Sequence, residues 1–118
     1  MKITKAKQKK LDRRELKRQD KEWAKAVKER DGNKCVICGA TKYLNAHHII
    51  PREVKEMRHE IDNGLSLCPK HHKWNTLLSA HRNPLFFLLW FETERKTQYF
   101  NLLLKALERD NEGRFEHV

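Results

Sequence analysis

Three cysteines and a histidine stand in two pairs, and their spacing constrains this chain more than any other feature of its sequence. Two residues separate Cys35 from Cys38, 29 residues follow, and Cys68 and His71 repeat the two-residue separation. Three sulfurs and one imidazole nitrogen make a closed tetrahedral zinc site, which two matched pairs predict far more strongly than one pair does. No apolar run follows the basic N-terminus, so we expect a cytoplasmic protein whose cysteines bind metal and form no disulfides.

The fourth ligand of this zinc site is either His71 or its neighbour His72. His71 is favoured because it completes the two-residue spacing of the first pair. Adjacent side chains on a helix also differ in direction by about 100°, so the two histidines should serve different sites. A structural zinc suits a chain of 118 residues with 36% charged residues, because metal binding adds directly to the free energy of folding.

The positive charge of the chain is concentrated at its N-terminus. Residues 1–30 hold thirteen Lys or Arg and five Asp or Glu, a net charge of +8, while the formal net charge of the whole chain is +10. This segment is either a solvated helix or an arm that binds nucleic-acid phosphates. A membrane surface is disfavoured, because the apolar stripe of the segment is thin. The predicted DNA-binding residues are Lys10, Arg13, Arg14, Lys17, Arg18 and Lys21.

The organisation of the chain predicts one α+β domain over residues 1–118, mostly helical. It divides into a basic tail (1–10), a basic helix (11–32), a zinc-stabilised core (33–82) and a helical segment (83–110). Within the core, an extended segment, a short strand leading into Cys68 and a helix starting at Pro69 are expected.

The helical segment begins with Asn83 as N-cap and Pro84 in the first turn. Its apolar residues form one helix, or two broken near Thr93. They either pack in the core against the basic helix or form a dimer seam, so a monomer and a homodimer are both open. The longest apolar run, of seven residues, is too short to span a bilayer.

A second constellation overlaps the two metal-binding pairs. His47 and His48 precede Ile49-Ile50-Pro51, fourteen residues separate His48 from Asn63, and eight separate Asn63 from His72. In an extended segment His47 and His48 point to opposite faces. Over residues 33–82 these motifs resemble the HNH endonucleases of the His-Me finger group, in particular small phage-type members that contain zinc knuckles. The resemblance implies a ββα-metal core and a bacterial or phage-encoded protein acting on double-stranded DNA.

The resemblance also implies a role for each matching residue. His48 would be the general base, and His47, where many relatives have Asp, would be a metal ligand. Asn63 would brace the loop and orient the base, and His72 would be a second metal ligand. One divalent ion would contact the scissile phosphate, and the products would be a 5′ phosphate and a 3′ hydroxyl. His59 and His117 fall outside this pattern.

The chain departs from the family pattern at Thr76, where many relatives carry a further metal-binding histidine one helical turn after the His72 position. His81 is an alternative third ligand if the chain folds back before Asn83; otherwise it is a surface or capping residue. Two protein ligands plus water would suit Mg²⁺ or Mn²⁺, and Ni²⁺ is a further candidate for the catalytic ion.

Two other functions remain open on the sequence. The domain could be a non-catalytic, zinc-stabilised DNA-binding module, or a protein-interaction domain that uses the apolar residues 85–91. The presence of His48 favours the enzyme, because a binding module needs no base beside a metal ligand.

Overall fold

A computed structural model describes residues 2–111, which are mostly helical around a two-stranded sheet; His117 lies outside this range. The elements are α1 (Lys5–Arg30), β1 (Asn45–His48), two 3₁₀ turns (Lys55–Met57 and Ile61–Asn63), β2 (Gly64–Leu67), a π-helical turn (Lys70–Trp74), α2 (Pro84–Glu94) and α3 (Lys96–Asn111). The predicted α+β class is confirmed. No helix in the described range is both long and apolar enough to cross a bilayer.

The first helix starts earlier than its sequence predicted. Thr4 caps α1 by accepting a hydrogen bond from the Lys7 amide, and the helix runs from Lys5, so it includes much of the segment that was predicted as a basic tail. The reason is that Lys, Ala and Gln, which fill these positions, are good helix formers. At its other end α1 stops at Arg30, and Gly32 follows with a positive φ of 74°, close to the predicted stop.

The sheet is a single antiparallel pair whose register places the two adjacent histidines. β1 pairs with β2 so that His47 lies opposite Leu65 and His48 lies opposite Gly64. All four residues of β2 are buried. The buried side of α1, with Trp23 and Val27, packs on this pair of strands.

The helix expected from Pro69 is confined to one π-helical turn that ends at Trp74. The next residue, Asn75, is extended, with φ −67° and ψ 132°. Its side-chain oxygen accepts hydrogen bonds from the amides of Leu77 and Leu78. An asparagine that satisfies nearby amides in this way competes with helix propagation, and here the turn conformation prevails.

Two helices follow, separated at Arg95. Asn83 caps α2 and Pro84 occupies its first turn, as predicted. Phe87 and Phe91 of α2 join Leu102 of α3 in the same buried cluster as the sheet. The expected packing of this segment in the core is therefore confirmed, but its main contacts are with the sheet cluster and the second 3₁₀ turn, not with α1. The apolar side chains of this segment that remain largely exposed include Leu85, Leu88, Leu89 and Leu104.

One buried carboxylate joins the end of α1 to the sheet and to the α2–α3 junction. The Asp31 side chain is 1% exposed, pairs with Arg30 and Arg95 at 2.8 Å, and accepts the Ser66 amide. Burial alone would raise the pKa of Asp31. The hydrogen bonds from Arg30 and Ser66 outweigh that effect and hold the pKa below its usual value.

Candidate metal centre and active site

The three cysteines and His71 converge on one point between the first metal-binding turn and the π-helical turn. Their ligand atoms all lie within 4.8 Å of one another. Cys38 Sγ lies 3.7 Å from Cys68 Sγ, and His71 Nδ1 lies 3.4 Å from Cys68 Sγ and 3.8 Å from Cys35 Sγ. Two sulfurs bound tetrahedrally to one zinc ion are about 3.8 Å apart. The donor set and its separations therefore fit zinc.

The first turn of this cluster has the geometry that its glycine predicts. Gly39 adopts a positive φ of 79°, and its amide donates to the carbonyl of Cys35. Burial alone would raise the pKa of the Cys35 thiol. Backbone amides of Cys68, Cys38 and Ile37 outweigh that effect and lower the pKa. Amides directed at a sulfur stabilise the thiolate that metal binding requires.

The π-helical turn separates the two adjacent histidines as the sequence anticipated. His71 is buried among the cysteines, whereas His72 joins His47 and His81 in a second cluster. The ligand nitrogens of this second cluster also lie within 4.8 Å of one another. His72 thus stands apart from the cysteine cluster.

His81 reaches this second cluster because the chain folds back on itself. The amide of Ala80 donates to the His71 carbonyl, and the amide of His81 donates to the His72 carbonyl. These bonds place Nε2 of His81 3.0 Å from Nε2 of His72. Thr76 is exposed and lies outside the cluster, and His81 is its third histidine.

The electrostatics of the second cluster favour neutral imidazoles. Burial, followed by the proximity of His72 and His81, lowers the pKa of His47 to about 3. Burial and then the proximity of His81 lower the pKa of His72 to about 4. Neutral imidazoles present free lone pairs, and nitrogens bound at right angles at about 2.1 Å would be about 3.0 Å apart. The cluster therefore fits one divalent ion.

His48 lies on the opposite side of β1 from this cluster but lines the same open cavity of about 530 Å³. Its Nε2 donates to the Arg58 carbonyl at 3.0 Å, which leaves Nδ1 as the nitrogen with a free lone pair. Burial lowers the pKa of His48, so this imidazole is neutral at pH 7. The ring stacks on Trp23 of α1.

Asn63 is fully buried, and its side chain ties together the loop that follows β1. Its oxygen accepts the Ile50 amide at 2.6 Å, and its nitrogen donates to the carbonyls of Ile50 and Met57 at 3.0 and 2.9 Å. These hydrogen bonds go to Ile50 and Met57 and not to His48, so the Asn63 side chain holds the backbone on either side of the loop that carries Arg58.

The predicted DNA-binding residues of α1 are all exposed. Lys10, Arg14, Lys17 and Lys21 recur every three or four residues and therefore form one stripe along the helix, which we call the basic stripe. Arg13, three residues after Lys10 and four before Lys17, borders this stripe. Arg18 forms ion pairs with Glu15 and Glu22, and so is less available to a partner.

Sequence reasoning missed the residues that join α1 to the active-site loop. Asp20 binds the Arg58 side chain at 2.7 and 2.9 Å and accepts a hydrogen bond from His59 at 2.8 Å. Trp23 donates to the Glu60 carbonyl at 2.8 Å. The sequence signal that could have indicated this contact is the pair Trp23 and Val27, two apolar residues four positions apart on a helix that is otherwise strongly charged.

A larger open groove of about 640 Å³ lies at the α2–α3 junction, where Arg30, Arg95 and Gln98 are among its lining residues. It contains no histidine or cysteine. Its two arginines are already paired with Asp31. The smaller cavity, by contrast, is lined by His47, His48, His72 and His81.

Together, the sheet, the π-helical turn and the two clusters define a small α+β module with a Cys₃His cluster that could hold zinc and a histidine-lined pocket that could hold a second ion. The model of a family described as HNH endonuclease matches residues 35–74, about a third of the chain. The match spans His47, His48, Asn63 and His72, so the resemblance noted from the motifs is confirmed for this segment, and nuclease-type chemistry with metal binding is what it indicates. No curated protein and no solved structure matches the chain.

Proposed function

We propose that the protein is a metal-dependent DNA endonuclease in which His48 is the general base. The observation that carries this proposal is the position of His48, with a neutral imidazole and a free Nδ1, on the cavity that it shares with the three-histidine cluster. A purely structural zinc module has no need of a second, open histidine cluster beside a base.

The reaction requires a nucleophile that is competent at neutral pH and stabilisation of the departing oxygen. Nδ1 of His48 takes a proton from a water molecule, and the resulting hydroxide attacks phosphorus. The bond from phosphorus to the 3′ oxygen breaks, and that oxygen takes a proton from solvent. The products are a 5′ phosphate and a 3′ hydroxyl.

A divalent ion held by His47, His72 and His81 would supply Lewis-acid stabilisation of the charge on the leaving oxygen. The chemistry of these three ligands favours some divalent ions over others. Three imidazoles suit Ni²⁺ better than Mg²⁺, which prefers oxygen ligands. The expectation of two protein ligands completed by water, which pointed to Mg²⁺ or Mn²⁺, is replaced by this proposal. The cysteine cluster keeps a structural role, with zinc as its metal.

Asn63 supports the base indirectly in this scheme. Its three hydrogen bonds hold the ends of the loop that presents the Arg58 carbonyl to His48. This is how a residue that does not touch the base would orient it.

The experiment is a nicking assay on supercoiled plasmid with Ni²⁺, Mn²⁺ or Mg²⁺. We expect cleavage by the wild type, and a loss on the order of 10²- to 10⁴-fold in His48→Ala. Lys42→Gln, an exposed change outside the cavity, is the control and should cut normally. A wild type that binds DNA but cuts with none of the metals would instead support the non-catalytic DNA-binding module.

The basic stripe is proposed as the DNA-backbone contact. Each phosphate contact contributes about 0.9 to the slope of log K against log salt concentration. Arg14→Gln/Lys17→Gln should therefore reduce this slope by about 2. The matched control is Arg18→Gln/Lys25→Gln, which removes two charges that are paired with glutamates. Equal slopes for the two variants would refute the stripe as the contact surface.

A further inference from the structure

The general base of the proposed reaction is stacked on a side chain of the N-terminal helix. The rings of Trp23 and His48 have centroids 3.9 Å apart and planes only 9° apart. Trp23 is 4% exposed, and its own position is restrained by the hydrogen bond from Nε1 to the Glu60 carbonyl. The indole is therefore a fixed surface against which the imidazole lies.

The contact is built into the packing of α1 on the sheet. Gly64, the register partner of His48, leaves the space that the helix occupies: a Cβ there would lie 2.7 Å from the Trp23 ring and 2.5 Å from Val27. A residue with any side chain at position 64 would push α1 away from His48. The absence of a side chain thus permits the indole to reach the imidazole.

A second restraint on His48 also originates from α1. The Arg58 carbonyl accepts the hydrogen bond from Nε2 of His48. The Arg58 side chain is in turn hydrogen-bonded to Asp20, which lies three positions before Trp23 on α1. One hydrogen bond fixes a single point of the imidazole but leaves the ring free to rotate about that bond. The stack on Trp23 removes this freedom, because it fixes the plane of the ring.

We propose that Trp23 is a positioning residue that sets the direction of the free Nδ1 of His48 toward the attacking water. This inference rests on the proposed function of His48 and adds a role for α1 beyond binding DNA. The helix would then contribute to turnover as well as to affinity.

The test compares two replacements of Trp23 in the full chain, with zinc bound and Ni²⁺ added. Trp23→Phe keeps a flat ring and should retain kcat within about threefold, because an aromatic face still stacks on the imidazole. Trp23→Leu keeps apolar volume without a ring plane, and its kcat should fall on the order of 10- to 100-fold, the effect of misplacing a reacting group by about 1 Å. KM for DNA should change little in both, because Trp23 is buried and does not contact substrate.

A control separates positioning from stability. Val27→Ala alters the same buried face of α1 but leaves the indole of the Trp23–His48 stack in place, so it should lower Tm while leaving kcat unchanged. Each variant is assayed well below its own Tm. If Trp23→Leu does not retain zinc, Trp23→Met, which also lacks a ring, replaces it in the comparison with Trp23→Phe.

The outcomes distinguish this inference from the proposed function. If His48→Ala cuts as fast as the wild type, the proposed role of His48 fails and the inference fails with it. If His48→Ala is inactive but a folded, ring-free variant of Trp23 keeps the wild-type kcat, only the positioning role is overturned. A loss of kcat in Val27→Ala equal to that in Trp23→Leu would also overturn it, because general loosening of α1 would then account for both.

Discussion

Replacing Asn63 with alanine should cost far more stability than replacing an exposed asparagine of the same hairpin. Asn63 is 0% exposed, and its side chain makes hydrogen bonds to the Ile50 amide, the Ile50 carbonyl and the Met57 carbonyl. Each such bond contributes about 1 kcal/mol net, so Asn63→Ala should lower the free energy of unfolding by about 3 kcal/mol. For a domain of this size, that corresponds to a fall in Tm of roughly 10 to 15 °C.

The assay is thermal unfolding of the zinc-loaded protein, followed by circular dichroism. Asn45→Ala is the matched control: Asn45 is exposed and its side chain donates one long bond of 3.4 Å to the Tyr43 carbonyl, so its Tm should barely change. Asn63→Asp should be at least as damaging at pH 7, because it replaces the donor to two carbonyls with an acceptor. A Tm for Asn63→Ala within about 4 °C of the wild type would refute the reasoning.

Three further changes test the packing around the site. Cys35→Ser should abolish zinc retention and unfold the protein, measured by metal content and circular dichroism; a folded, zinc-free variant would refute the structural role of the cluster. Gly64→Ala should destabilise the protein by about 1–3 kcal/mol in urea unfolding, since the new Cβ would overlap Val27 and must displace α1. Asp31→Asn should cost about 3 kcal/mol, because it leaves Arg30 and Arg95 without their buried partner. An Asp31→Asn variant as stable as the wild type would show that these arginines are satisfied by their other acceptors, which are backbone carbonyls for Arg30 and the Gln98 side chain for Arg95.

The zinc cluster could be predicted because the spacing within each ligand pair is set by residues that are close together in the sequence. Two pairs of ligands, each with two intervening residues, need only a tight turn to face one ion, and Gly39 provides the backbone for one of them. The opposite directions of His47 and His48 follow from the alternation of side chains along a strand. The N-cap at Asn83 is likewise decided by residues within one turn.

The third histidine of the second cluster could not be predicted from periodicity. A helix continuing from Pro69 would have placed Thr76 one turn beyond His72. The loop instead turns at Asn75 and returns His81 to the cluster through two backbone hydrogen bonds. Such a return depends on side-chain capping in competition with helix formation, which a spacing rule does not capture.

The position of α1 on the sheet could not be predicted from sequence patterns either. Trp23 and Val27 stand among charged residues, and their stripe is too thin to show which surface it covers. The missing side chain at Gly64 determines where the helix lies, and that complementarity spans 41 positions of the sequence, from residue 23 to residue 64.

The adjacency of His71 and His72 has a consequence for how this chain can vary. A single peptide bond joins His71, a residue of the cysteine cluster, to His72, a residue of the histidine cluster. Inserting or deleting one residue between Cys68 and His72 would change the direction of His71 relative to His72. At least one of the two clusters would then lose its ligand, so natural length changes should be absent from this stretch. The exposed residues 41–43 carry no ligand, and we expect insertions among relatives to accumulate there.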